Sequence, residues 1–99
     1  METATVLRYG TPVILTRPDM DAFLGREKHP TTDDIGFVGT VVANEVEFYD
    51  EHDYTSKKNV LGGTSFVASG PDDIIVVIYT VRAPDGRELE LVEHEIEVV

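Results

Sequence analysis

The sequence contains no cysteine and no long apolar run, and each absence narrows what the chain can do. Without cysteine the chain has no disulfide bond, no catalytic thiolate and no cysteine-based zinc site. No apolar stretch approaches the roughly 20 residues that a membrane-spanning helix requires. Residues 1–8 also lack the basic and apolar regions of a signal peptide. We therefore expect a soluble, cytoplasmic protein that does not insert into a membrane.

Basic residues are also scarce. The chain has 8 Lys and Arg residues against 19 Asp and Glu residues, which gives a formal net charge of −11. Proteins that bind nucleic acids neutralise several phosphates with Lys and Arg, so we expect no direct nucleic-acid binding. The same negative field favours a basic partner protein. Two plainer explanations, solubility and adaptation of the host to salt, stay open.

The residues that are present predict one small β-domain spanning residues 1–99. Its most informative stretch is Gly-Phe-Val-Gly-Thr-Val-Val at positions 36–42. Glycine permits a kink, a positive φ or a close backbone approach, and the β-branched residues then continue a pleated strand. The apolar run at 74–81 ends in Pro84-Asp85-Gly86, which is a strong turn signal before a further alternating strand.

Alternation and turn residues divide the chain into six strands. The run at 74–82 is apolar on both faces, and we predict it to be the central and best-buried strand. Residues 17–35 form a long connection with one helical turn at Met20–Leu24, and residues 93–95 form a bend or a 3₁₀ turn. Residues 43–70 either extend the sheet or fold outward as an arm. The predicted strands are 11–16, 37–49, 60–68, 74–82, 87–92 and 96–99.

This order resembles the SH3-like small β-barrels, and more specifically their KOW-type and photosystem-I-accessory-subunit-type versions and related small bacterial domains of unknown function. The resemblance rests on Pro12-Val13-Ile14-Leu15, on residues 36–42, and on residues 74–81 with the Asp85-Gly86 turn. It implies an all-β, antiparallel SH3-like barrel with a long first loop and an extended middle hairpin. Such barrels mostly bind proteins or RNA, or serve as subunits of assemblies, and few are enzymes.

No residue pattern predicts catalysis or a cofactor. The three histidines, His29, His52 and His94, show neither H-x-x-x-H nor H-E-x-x-H spacing, so we predict no metal site. Gly62-Gly63-Thr64-Ser65 lacks the lysine and the following helix of a phosphate-binding loop, and we interpret it as a bend. We expect no enzyme activity.

Two surfaces are candidates for partner binding. Aromatic residues anchor protein interfaces well, and three of them fall in or beside loops with acidic neighbours. The first candidate surface comprises Phe23, Tyr49 and Tyr54, rimmed by Asp21, Glu47, Asp50, Glu51 and Asp53. The second is the row Glu88, Glu90, Glu93, Glu95 and Glu97. Spacing by two places Glu88 and Glu90 on one strand face, about 6–7 Å apart. The competing interpretation of the first surface is that its aromatic residues pack against the core. The competing interpretation of the second is that its acids form an ordinary solvated strand face.

These observations lead to two hypotheses. The first is a non-catalytic acidic module that docks on a basic protein, with an inhibitor that mimics nucleic acid as a special case. The alternative is a structural or assembly subunit that associates through an open sheet edge, at 74–81 or 96–99, with another protein or a second copy. Salt should weaken the first kind of association much more than the second.

Overall fold

The computed structural model describes residues 3–19, 26–49, 54–67 and 74–99, and these residues form an all-β structure with two single-turn 3₁₀ helices. The 3₁₀ turns are Thr32–Asp34 and Glu93–Glu95. The strands are β1 (Thr3–Thr5), β2 (Pro12–Leu15), β3 (Val38–Tyr49), β4 (Tyr54–Lys58), β5 (Ser65–Val67), β6 (Ile74–Arg82), β7 (Glu88–Val92) and β8 (Ile96–Val98). The helical turn predicted at Met20–Leu24 lies outside the described residues.

The main sheet is antiparallel, with the strand order β7-β6-β3-β2-β8 and with β4 also paired to β3. Strands β1 and β5 form a separate two-stranded sheet. Although β7 and β8 follow each other along the chain, they lie at opposite ends of the strand order. Within the described ranges these two strands do not pair, so the sheet does not close into the predicted barrel.

Strand β3 is the centre of the sheet, and the prediction that 74–82 is central was wrong. The first part of β3 pairs with β2 and the last part of β3 pairs with β4, while β6 pairs with β3 along most of the length of β3. Residues 43–49 and 54–58 therefore extend the sheet. A bulge between Val41 and Ala43 changes which residues face the core. Val41 and Val46 are both buried as a result.

Two glycines in the 36–42 stretch serve different purposes. Gly36 has a φ of 92°, which residues with a Cβ rarely adopt. Gly39 has no positive φ, but a Cβ built there would lie 2.5 Å from the carbonyl oxygen of Arg82. The close approach of β6 to β3 is therefore what requires glycine at position 39.

The core lies on the inner face of the sheet and includes residues from β2, β3, β6 and β7. Leu89 and Leu91 are buried as predicted, while Glu88 and Glu90 lie on the other face. Tyr79 is fully buried, and its hydroxyl accepts a hydrogen bond from the Leu7 backbone N–H at 3.0 Å. Burial raises the pKa of the Tyr79 hydroxyl. Tyr79 thus joins the N-terminal segment to the sheet.

The first 3₁₀ turn is attached to the loop after β6 by an ion pair between Asp34 and Arg87. The hydrogen bond from the Thr31 backbone N–H, together with Arg87, lowers the pKa of the Asp34 carboxyl. The Arg87 guanidinium also lies 5.5 Å from the centre of the Phe37 ring, within cation–π range. These contacts fix the second half of the long 17–35 connection.

Candidate functional site

Strands β7 and β8, which end the main strand order, differ in what covers their outer edges. At β7, the Glu90 backbone N–H donates to the Lys28 carbonyl at 2.9 Å, and Nη1 of Arg26 donates to the Glu90 carbonyl at 2.9 Å. The Glu90 carboxylate also accepts the backbone N–H groups of Glu27 and Lys28, each at 3.0 Å. Residues 26–28 therefore cover this edge, as proteins commonly do to protect an end strand.

A buried ion pair holds that covering loop in place. Nη1 of Arg26 lies 2.6 Å from Oε1 of Glu95, and both side chains are fully inaccessible to solvent. The Glu95 carboxylate also accepts the backbone N–H groups of Asp19 at 2.6 Å and Val92 at 2.9 Å. One buried carboxylate therefore joins the long connection, the end of β7 and the second 3₁₀ turn.

Glu88 is likewise occupied within the fold. Its carboxylate lies 3.0 Å from Nζ of Lys28 and 2.6 Å from Nη2 of Arg82. Hydrogen bonds from Lys28 and then Arg82 lower the pKa of the Glu88 carboxyl. Two cations already balance this carboxylate, so it adds little to an acidic docking surface.

Among the described residues, no strand pairs with the outer edge of β8. The Thr16 N–H donates to the Glu95 carbonyl at 2.9 Å, and the Val99 N–H donates to the Pro12 carbonyl at 3.0 Å. Bonded pairs recur at every second residue of an antiparallel ladder, so Glu97 pairs inward with Ile14. The backbone groups of Ile96 and Val98 consequently point away from β2.

Three of these four outward groups have no backbone partner in the part of the chain that the structure describes. The Ile96 N–H donates to the Glu93 carbonyl. The Ile96 carbonyl and both the N–H and the carbonyl of Val98 make no described backbone hydrogen bond. The Val98 side chain is 60% exposed and the Val99 side chain 69% exposed. This edge can therefore accept an additional strand.

Two depressions lie on the described surface, one beside β8 and one across β2 from it. One, of about 330 Å³, is lined by Thr16, Arg17, His94, Ile96 and Glu97. The other, of about 360 Å³, is a mainly apolar groove on the outer face of β2 and β3, and its lining includes Pro12, Val38, Ala83 and Pro84. The groove is linked to β8 through Pro12, whose carbonyl accepts the Val99 N–H on the β2-facing side of β8.

Of the first predicted partner surface, the structure describes Glu47 and the backbones of Tyr49 and Tyr54. Glu47 was predicted to lie on the exposed rim of that surface, but only 4% of this residue is exposed, so that prediction was wrong. Glu47 lies within β3, in register with Lys57 of β4 and Val76 of β6. The backbones of Tyr49 and Tyr54 are paired across the β3–β4 hairpin. Phe23, Asp50, Glu51 and Asp53, together with Asp21, lie outside the described residues.

The second predicted surface is not a continuous acidic row. Glu95 is buried against Arg26, which interrupts the row, and Glu88 and Glu90 hold the 26–28 loop. Glu93 and Glu97 remain exposed. Sequence reasoning named 74–81 and 96–99 as candidate edges. The first was wrong, because β6 pairs with β3 on one side and β7 on the other, and the buried Arg26–Glu95 pair was missed. The interruption of the strand pattern at Glu93-His94-Glu95 was the only local signal of that site.

Among the described residues, no three His, Asp or Glu side chains lie close enough together to hold a metal ion. No helix in those residues is long and apolar enough to cross a membrane. Comparison of the chain with protein-family models, curated proteins and solved structures found no match.

Proposed function

We propose that this protein is a non-catalytic interaction module that joins an assembly through the open edge of β8. One observation carries the proposal: the chain covers the edge of β7 with its own residues 26–28 but leaves outward backbone groups of Ile96 and Val98 without described partners. Addition of a strand to an exposed edge is a common mode of protein recognition.

The SH3-like resemblance remains part of this proposal. Strands β6, β3, β2 and β8 are consecutive neighbours, and a 3₁₀ turn separates β7 from β8. That resemblance implies protein binding or assembly more often than catalysis. The absence of cysteine permits a reducing compartment such as the cytoplasm, which is the location we propose.

A proline substitution tests the use of this edge. Val98→Pro removes an outward N–H, so β8 should stay paired to β2 while the edge loses a donor. Val98→Ala shortens the side chain and keeps the N–H, which makes it the matched control. Both variants and the wild type would be used as bait in a lysate of the native host, at low and high salt.

We expect wild type and Val98→Ala to retain a partner protein from the lysate at high salt. We expect Val98→Pro to lose that protein. Unchanged thermal stability of Val98→Pro would show that the fold is intact. Retention of the same proteins by Val98→Pro would contradict edge pairing.

A second candidate function is docking of the acidic surface on a basic partner. The net charge of −11 favours it, as does the exposure of Glu27, Asp33 and Asp85 in the described part of the chain. Captured proteins that dissociate from both wild type and Val98→Pro as the salt concentration rises would support this function. A nucleic-acid mimic has less support, because burial of Glu95 interrupts the row of acids.

A further inference from the structure

We infer that the occupant of the β8 edge is an extended segment of a basic partner in which a Lys or Arg stands between two apolar residues. This inference rests on the proposed function, since it names the partner of the same edge. It follows from three features of β8: its outward backbone groups, the sides to which its side chains point, and the charge around it.

The backbone groups set how the segment pairs. In antiparallel pairing, the partner residue opposite Val98 would both donate to its carbonyl and accept from its N–H. The partner residue two positions further along would donate to the Ile96 carbonyl. The ladder would end there, because the Ile96 N–H already donates to Glu93. Three hydrogen bonds are therefore available to a segment of three residues.

The side chains of β8 set the pattern of the segment. Alternation places Ile96 and Val98 on one side of the sheet and Glu97 on the other. The partner residues opposite Val98 and Ile96 would meet apolar side chains, and burial of the exposed Val98 side chain favours apolar residues there. The residue between them would lie opposite Glu97, and opposite charges facing each other across strands attract.

The charge around β8 argues against a second copy as the occupant. Each copy carries a net charge of −11, so two copies repel each other at moderate salt. Pairing centred on Glu97 would also place two carboxylates directly opposite each other. Glu97 is exposed, lines the depression beside the second 3₁₀ turn together with Arg17 and His94, and is the acid of β8 that would face a pairing strand. We therefore place the partner cation opposite Glu97.

The test uses a blocked peptide of alternating valine and lysine, and a control peptide with glutamate in place of lysine. Titration calorimetry would measure the affinity of the full chain for each peptide. Glu97→Lys reverses the charge at the pairing position, while Glu93→Lys makes the same change at an exposed acid outside β8. The Val98→Pro variant reports whether the peptide pairs with the edge.

We expect the lysine peptide to bind wild type more tightly than the glutamate peptide. Glu97→Lys should weaken its binding by about 5-fold or more, and Glu93→Lys by only about 2-fold, because the exposed charge is screened. Equal effects of the two substitutions would overturn the inference. So would an absence of lysine-peptide binding, or binding that Val98→Pro does not abolish.

Sedimentation separates this inference from the proposed function. We expect wild type to be monomeric at moderate salt. A dimer that Val98→Pro converts to monomer would identify a second copy as the occupant, which overturns the basic segment but supports assembly through β8. If Val98→Pro changes neither peptide binding nor lysate capture, that result would instead count against the β8 edge as the binding site.

Discussion

Single residues decide how closely the strands of this sheet approach. At position 39 a Cβ would lie 2.5 Å from the Arg82 carbonyl oxygen and 2.9 Å from Cγ1 of Val81. Contacts this short force the backbone to move, because protein interiors are closely packed. Gly36 differs, since a Cβ there would meet nothing within 4 Å and only its positive φ opposes substitution.

This difference predicts two unequal losses of stability. Gly39→Val should lower the free energy of unfolding by about 3 kcal/mol or more, because the side chain collides with β6. Gly36→Ala should cost only about 1–2 kcal/mol, through its left-handed backbone conformation. Urea denaturation of both variants measures the difference. Wild-type stability in Gly39→Val would show that β6 does not approach β3 in this way.

At the scale of elements, the buried Arg26–Glu95 pair attaches the long first connection to the sheet and thereby covers β7. Removing one partner of a buried pair leaves the other charge in a poorly solvated place, which typically costs about 3–5 kcal/mol. The covered edge of β7 therefore depends on residues that are distant from it in sequence.

Substitution of Arg26 tests this attachment. Arg26→Met should lower the free energy of unfolding by about 3 kcal/mol or more, because the Glu95 carboxylate loses its buried cation. Arg17→Met removes the same charge from an exposed position and should change stability by less than about 0.5 kcal/mol. Equal stability of the two variants in urea would contradict a buried ion pair.

The strands themselves could largely be predicted from the sequence. Alternation and β-branched residues indicated β2, β3, β6, β7 and β8, because these features are local. The strands β1 and β4 were missed, since Thr3–Thr5 is short and shows no apolar alternation and Tyr54–Lys58 is polar and charged. Burial of Glu47 and Glu95 could not be predicted, because it depends on strands and a loop that are distant along the chain.

At the scale of the whole molecule, strong negative charge and an open edge occur together. An uncovered end strand invites pairing between identical chains, and a high net charge opposes such association. The charge of −11 would therefore keep copies apart while leaving β8 available to a basic segment. Salt should reduce the affinity for the lysine peptide, because it screens the attraction to Glu97.

The most direct test of the open edge is amide hydrogen exchange along β8 in the free monomer. The ladder predicts slow exchange at Glu97 and Val99, whose N–H groups point toward β2, and fast exchange at Val98 between them. Uniformly fast exchange at all three amides would show that β8 is not paired. Slow exchange at Val98 would show that its outer edge is already covered, and either result would contradict the account.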